Sequence, residues 1–197
     1  MPEKTRTKNI TIQQQEKLLR LLKFLIKFNL LAIPIWIILF LNIQLTPLKE
    51  ITAAIIFGFL QILGIPATLN GTLLTLQAID GTFAAQILWI CIGWESMYIL
   101  FALIFATDFS LSRKVSGLVF LPIIYGINIL RIVFILSFIV IFGSTYFDLL
   151  HTIWSFIFAA LLLMFWFYWM RNSRLSLQKK SIQGLRLQRS QAKPRKK

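Results

Sequence analysis

At 197 residues, 57% of them hydrophobic and with a mean hydropathy of +0.75, the chain is too apolar for a soluble domain and long enough for one helical bundle without a second domain. A single cysteine excludes an internal disulfide, and one Cys with one His cannot close a metal shell, so neither a metal nor another cofactor is expected. The net charge of +14 sits at the ends, with seven of the 21 Lys/Arg before Phe28 and ten after Trp169; this is the positive-inside pattern of a membrane protein drawn to anionic lipid headgroups, and it argues against nucleic acid as a partner.

Residues 1–11 are polar and expected to be mobile. Residues 12–27, "IQQQEKLLRLLKFLIK", repeat Lys17, Arg20, Lys23 and Lys27 every three or four positions, which predicts an amphipathic helix on the cytoplasmic surface. Segment 1–27 is thus a basic cytoplasmic N-terminal region, and its helix can run on into a first span at 25–44. No A-x-A cleavage site follows that apolar run, so it is read as retained. Thr46-Pro47 then interrupts the chain. Residues 48–65 are long enough to cross by length alone. In "PATLNGTLLTLQAIDGT", Asn70-Gly71 between short Thr/Leu-rich runs predicts a β-hairpin, and Asn70-Gly71-Thr72 is also a glycosylation triplet. Further spans are read at 84–106, 116–142 and 149–170, with a basic loop at 107–115. The basic tail 171–197 is expected to be disordered or surface-bound in the cytoplasm. The expected fold is all-α: a multi-pass membrane bundle whose embedded domain is 28–170.

Topology follows from charge. Both basic ends and loop 107–115 prefer the cytoplasm, so span 149–170 runs inward, 116–142 outward and 84–106 inward. The hairpin is then outside. With the N-terminus also inside, segment 48–65 starts and finishes outside, as an outer interfacial helix or a re-entrant one. This gives four spans in the plasma membrane. A five-span alternative puts the N-terminus outside and leaves seven basic residues on the wrong face.

Ionisable residues inside spans face a bundle interior or a wet cavity. Cys91 and Glu95 lie about one turn apart in span 84–106. Arg131 follows Asn128, and His151 follows Asp148, each by about one turn. At about 1.5 Å per residue, Cys91, Arg131 and His151 lie roughly 10, 16 and 3 Å from the outer ends of their spans. Alone, Cys91 reads as a packing residue and His151 as an interfacial one. Arg131 is harder to dismiss, being the only Lys/Arg from 115 to 170 and too deep to snorkel easily. Together they point to nucleophilic chemistry: a thiolate beside a cation, with His as proton carrier. Glu95 and Asp148 are candidates to orient Arg131 or His151, Asp148 being equally readable as a favourable charge at a helix N-terminus.

"CIGWES", "NILRI" and a following helix-opening His, in that order and spacing, resemble the exosortase/archaeosortase family of membrane cysteine transpeptidases. So does the upstream "LQILGIPATLNGTLLTLQ", and the likeness covers 30–165. The flavour of "ESMYILFALIFAT" and "LPIIYGINILRIVFI" resembles archaeal members. Ile92 stands where that family usually carries Ser or Thr. The resemblance implies Cys91 as nucleophile, Arg131 as electrostatic stabiliser and His151 as acid/base, supported by Asn128, Glu95 and Asp148. It implies, as substrates, secreted proteins with a C-terminal sorting signal of short motif, apolar helix and basic cluster. These are cut on the outer face and joined to a lipid or other amine acceptor. Two other classes compete: a non-catalytic membrane adaptor, which keeps its function without Cys91, and an intramembrane protease, whose product ends in a free carboxylate. A transporter is disfavoured, because the sequence has no internal repeat.

Overall fold

A computed structural model describes residues 3–43 and 46–191, with side chains for 14–43 and 46–175. Helices α1 (Glu3–Phe40) and α2 (Thr46–Ile62) lead into strands β1 (Ala67–Asn70), β2 (Leu73–Ala78) and β3 (Gly81–Gln86). A 3₁₀ turn, Trp89–Ile92, precedes α3 (Trp94–Ala106); α4 (Leu111–Gly117), α5 (Phe120–Phe142) and α6 (Phe147–Gln191) follow. Among the described residues, three helical stretches are long and apolar enough to cross a membrane, namely Gln14–Phe40, Leu111–Phe142 and Ser144–Leu175, and Trp94–Ala106 is a shorter apolar helix. Their outward faces are greasy: Trp36 is 70% exposed and Phe156 75%, as suits a hydrocarbon solvent.

Several expectations are corrected here. The hairpin is a three-stranded antiparallel sheet, β1–β2–β3. Its third strand takes residues that read as the start of span 84–106, so the helix begins only at Trp94. The alternation that marks β3 is present, with Phe83 and Ala85 half-buried and Thr82, Ala84 and Gln86 exposed, but weak β-formers and the apolar run beyond obscure it. The first turn is also shifted by one residue: Asn70 pairs with Leu73, leaving Gly71 and Thr72 as the turn, with Gly71 at φ +60° in its first position. The helical backbone, moreover, starts at Glu3 and ends at Gln191, inside segments read as mobile or surface-bound; the tail's Lys, Arg, Gln and Leu are all good helix formers. Residues 192–197 lie outside the described residues.

Three basic groups collect at one end. Lys27 of α1 pairs with Asp108 after α3. Arg113 donates to the Ser173 carbonyl at 3.0 Å, and Lys114 to the Phe105 carbonyl at 2.9 Å, where the end of α3 leaves acceptors unpaired. Call this the basic end. The sheet lies at the other, its buried Leu74, Leu76 and Ala78 packed with Ala53, Ile56 and Leu60 of α2 and Ile139 of α5. A second core joins Leu100 and Ile104 of α3, Ile124 of α5 and Phe158, Leu162 and Trp169 of α6.

Asp80, in the β2–β3 turn, clips the sheet to the α5–α6 junction by accepting from both the hydroxyl and the amide of Ser144, each at 2.7 Å. The hydroxyl first, then the amide, holds its carboxyl below the usual carboxylate range. The folded value therefore lies below the unfolded one of about 3.9, so the clip contributes fully above about pH 4 and is lost as pH falls through the folded value. Asp80→Ala should lower the thermal midpoint of the detergent-solubilised protein at pH 7. The gap to wild type should close on acidification; a gap independent of pH contradicts this.

Candidate active site

Cys91 sits in the 3₁₀ turn, one step ahead of α3 and not inside a membrane helix as the sequence suggested. The reason is local. Ile87 ties the end of β3 back to the Thr72 carbonyl at 2.8 Å, and Gly93 at φ +79° forces a break between the turn and α3. A Cβ on residue 93 would stand 2.8 Å from Asn128 Cγ, so only glycine lets the Asn128 side chain lie against this backbone. Asn128 uses that approach: its Nδ2 donates to the Cys91 carbonyl at 2.8 Å, and the residue is only 3% exposed. Asn128 thus fixes the turn that carries the thiol. Ile92 is fully buried and does not line the cavity described next.

Between the two cores runs a cavity of about 520 Å³. Cys91, Glu95, Asn128, Arg131 and His151 all line it, brought from the turn, α3, α5 and α6. Asp148 does not; it is exposed in the first turn of α6. Arg131 donates through Nη2 to Ser155 Oγ at 3.1 Å, and Ser155 Oγ donates to the His151 carbonyl at 2.7 Å. The guanidinium carbon lies 5.9 Å from the Phe158 ring centroid, a cation–π contact, while Nε is buried with no hydrogen-bond partner. Arg131 therefore has a donor to spare. The His151 ring stacks on Phe147 at 5.8 Å and 19°. No cluster of three metal-ligating side chains forms among the described residues.

Ser155 escaped the sequence reading, although it sits one turn after His151 on the same helix face. A lone serine in an apolar helix usually bonds back to its own helix, as this one also does. Only the position of Arg131 across from it reveals the bridge.

Compared with known families, the chain matches the transmembrane exosortases over residues 10–168. The chain belongs to the transmembrane exosortase family. No curated protein and no solved structure matches it. The matched stretch runs from the amphipathic part of α1 to the membrane part of α6, so it takes in the sheet, the 3₁₀ turn and every residue of the cavity. As an exosortase-family chain with apolar helices of spanning length, this is a multi-pass membrane protein.

Proposed function

We propose that this exosortase-family protein is a cysteine transpeptidase of the archaeal type. It cleaves the C-terminal sorting signal of secreted proteins on the outer face and joins the new C-terminus to a lipid or other amine. The observation that carries the reading is the convergence of Cys91, Arg131 and His151, from three separate elements, on one cavity. The thiolate of Cys91 attacks the scissile carbonyl. A buried thiolate is costly without a cation nearby, and Arg131 supplies one. The free donor of Arg131 is available to the oxyanion. His151 protonates the leaving amine and later takes the proton of the incoming one. Asn128 positions the Cys91 backbone, and Ser155 links Arg131 to the His151 backbone. Glu95 lines the same space. Asp148 stands exposed in the first turn of α6, outside the cavity.

Cells whose only copy carries Cys91→Ala should accumulate secreted proteins that keep their C-terminal apolar helix, read by mass spectrometry of protein C-termini. Unchanged processing favours the adaptor. Wild-type products ending in a bare carboxylate favour a hydrolytic protease.

For the topology we propose four spans, with both termini cytoplasmic and the cavity opening outside. The Lys27–Asp108 pair supports this, since residues 27 and 108 on one side require an even number of crossings between them. α1 and α3 make two, and α2 returns without crossing. Thr52 of α2 meets the Tyr125 hydroxyl at 3.1 Å, one turn nearer the basic end than Asn128, which favours a dipping segment over one lying on the surface. In a Cys91→Ala background, a cysteine at Asn70 should react with an impermeant thiol reagent on whole cells. One at Gln14 should react only after permeabilisation. Labelling at Gln14 on intact cells means five spans.

A further inference from the structure

The sheet has two edges, and they differ. At β1 the edge is covered: α2 packs beside it, and Gln61 Nε2 of that helix's last turn donates to the Ala67 carbonyl at 3.3 Å. At β3 the edge is open. Ile79 and Asp80 form a two-residue turn, so Ala78 and Gly81 close the ladder as a hydrogen-bonded pair. Alternation then turns the backbone groups of Phe83 and Ala85 toward β2, and the Ile87 N–H continues the set with its 2.8 Å bond to the Thr72 carbonyl. The N–H and C=O groups of Thr82, Ala84 and Gln86 are left pointing out of the sheet, and none of them has a hydrogen-bond partner among the described residues. All three residues are exposed. Proteins usually blunt such an edge with a charge, a proline or a bulge. "GTFAAQ" has neither charge nor proline, and its register with β2 is unbroken.

We propose that the open edge of β3 binds the sorting signal: the extended residues just before the cut join the sheet as a fourth strand, parallel to β3. This rests on the transpeptidase reading above. Continuity with the site selects the occupant. Ala85 and Gln86 line the same cavity as Cys91 and His151, so a chain laid on this edge leads to the thiol. Geometry sets its direction. β3 starts at the turn that Asp80 clips to Ser144, beyond the outer end of α5, and leads to the 3₁₀ turn that Asn128 holds. Along α5, Phe142 to Asn128 is about 21 Å, so β3 descends from the outer end toward the thiol. A secreted protein enters from outside with its apolar helix following inward, and therefore runs the same way as β3. Strand addition also suits the reaction. Main-chain bonds hold any sequence at a fixed height against the thiol, and alternate side chains are left for recognition. Near the bilayer, unpaired backbone groups are costly, which adds to the gain when a peptide satisfies them.

The test uses the full-length Cys91→Ala protein in nanodiscs, where binding is read without chemistry. The probe is a synthetic peptide covering the stretch just before the C-terminal apolar helix of a secreted protein that keeps this helix in Cys91→Ala cells. Replacing successive peptide bonds of the probe by esters removes one N–H at a time. Binding should weaken by about three- to tenfold at every second position, the worth of one hydrogen bond, and hold steady between. Ala84→Pro removes an outward N–H and no bond to β2, a change that edge strands tolerate. It should keep the thermal midpoint and bind the probe several-fold more weakly; the ester scan decides alone if this variant does not fold. Gln86→Cys should trap probe cysteines near the cut, and Thr82→Cys those farther upstream. Ester effects without alternation, or trapping in the reverse order, overturn the proposal. So do disulfide-linked dimers of Thr82→Cys in place of probe adducts, which make the edge a contact between two copies. If no secreted protein accumulates in Cys91→Ala cells, the transpeptidase reading fails and takes this proposal with it. Accumulation without the alternation removes the strand-addition site alone.

Discussion

Arg131→Ala should reduce sorting-signal processing by about 10²–10³-fold, the typical consequence of losing one well-placed oxyanion donor, in a protein that still inserts. Arg131→Lys should lose most of that activity as well. The guanidinium is a planar fork of donors, and here the fork is divided. One edge holds Ser155 at 3.1 Å, the face rests on Phe158, and Nε remains unpaired inside the protein. An ammonium is a compact charge on a flexible stem. It can keep the Ser155 contact or turn toward the thiol, and it does neither with fixed geometry. Processing in cells at matched protein levels separates the cases. Near-normal activity of Arg131→Lys reduces the requirement to a nearby positive charge. Near-normal activity of Arg131→Ala makes Arg131 structural and removes the catalytic reading of the cavity.

Gly93→Ala should be nearly as damaging, although the residue carries no chemistry. Its φ of +79° is strained for any side chain, which costs about 1–2 kcal/mol. The added Cβ also lands 2.8 Å from Asn128 Cγ, in a short, buried side chain held by its bond to the Cys91 carbonyl. Displacing Asn128 breaks its bond to the Cys91 carbonyl and leaves a buried amide unsatisfied, about 1–3 kcal/mol more. Two results are expected together: a lower thermal midpoint and a strong loss of processing by whatever protein remains folded. Gly126→Ala is the contrast, since it lies within α5 with nothing near its Cβ position. It should leave both properties close to wild type or slightly raise stability, as alanine is the better helix former. Equal behaviour of the two variants contradicts the positioning role given to Asn128.

Charge made the ends of this molecule legible. Lys27, Arg113 and Lys114 meet at one end because the basic groups that sort a chain across a bilayer also cap and pair the helix ends there. The deep residues were legible for a related reason. An Arg131 with no second cation near it in sequence needs a partner, and the cavity supplies Ser155 and Phe158. What stayed hidden depends on chain reversal. β3 reads as the beginning of a membrane helix because Phe83, Ala85 and Ile87 continue an apolar run, and only pairing with β2 makes it a strand. Cys91 then falls in a turn whose existence rests on Gly93 packing against Asn128, a contact across 35 positions that no local pattern encodes. Asp148 was misleading for the opposite reason: helical spacing put it near His151, but spacing does not say which of two neighbours faces a cavity.

The most direct measurement is chemical. Membranes from cells expressing the wild-type protein are quenched rapidly in acid and digested, and the peptide containing Cys91 is examined by mass spectrometry with and without hydroxylamine. The expected result is a thioester joining Cys91 to the new C-terminus of a secreted protein, released by hydroxylamine and absent from Cys91→Ala. An unmodified Cys91 peptide in cells where sorting signals are still being removed contradicts the account.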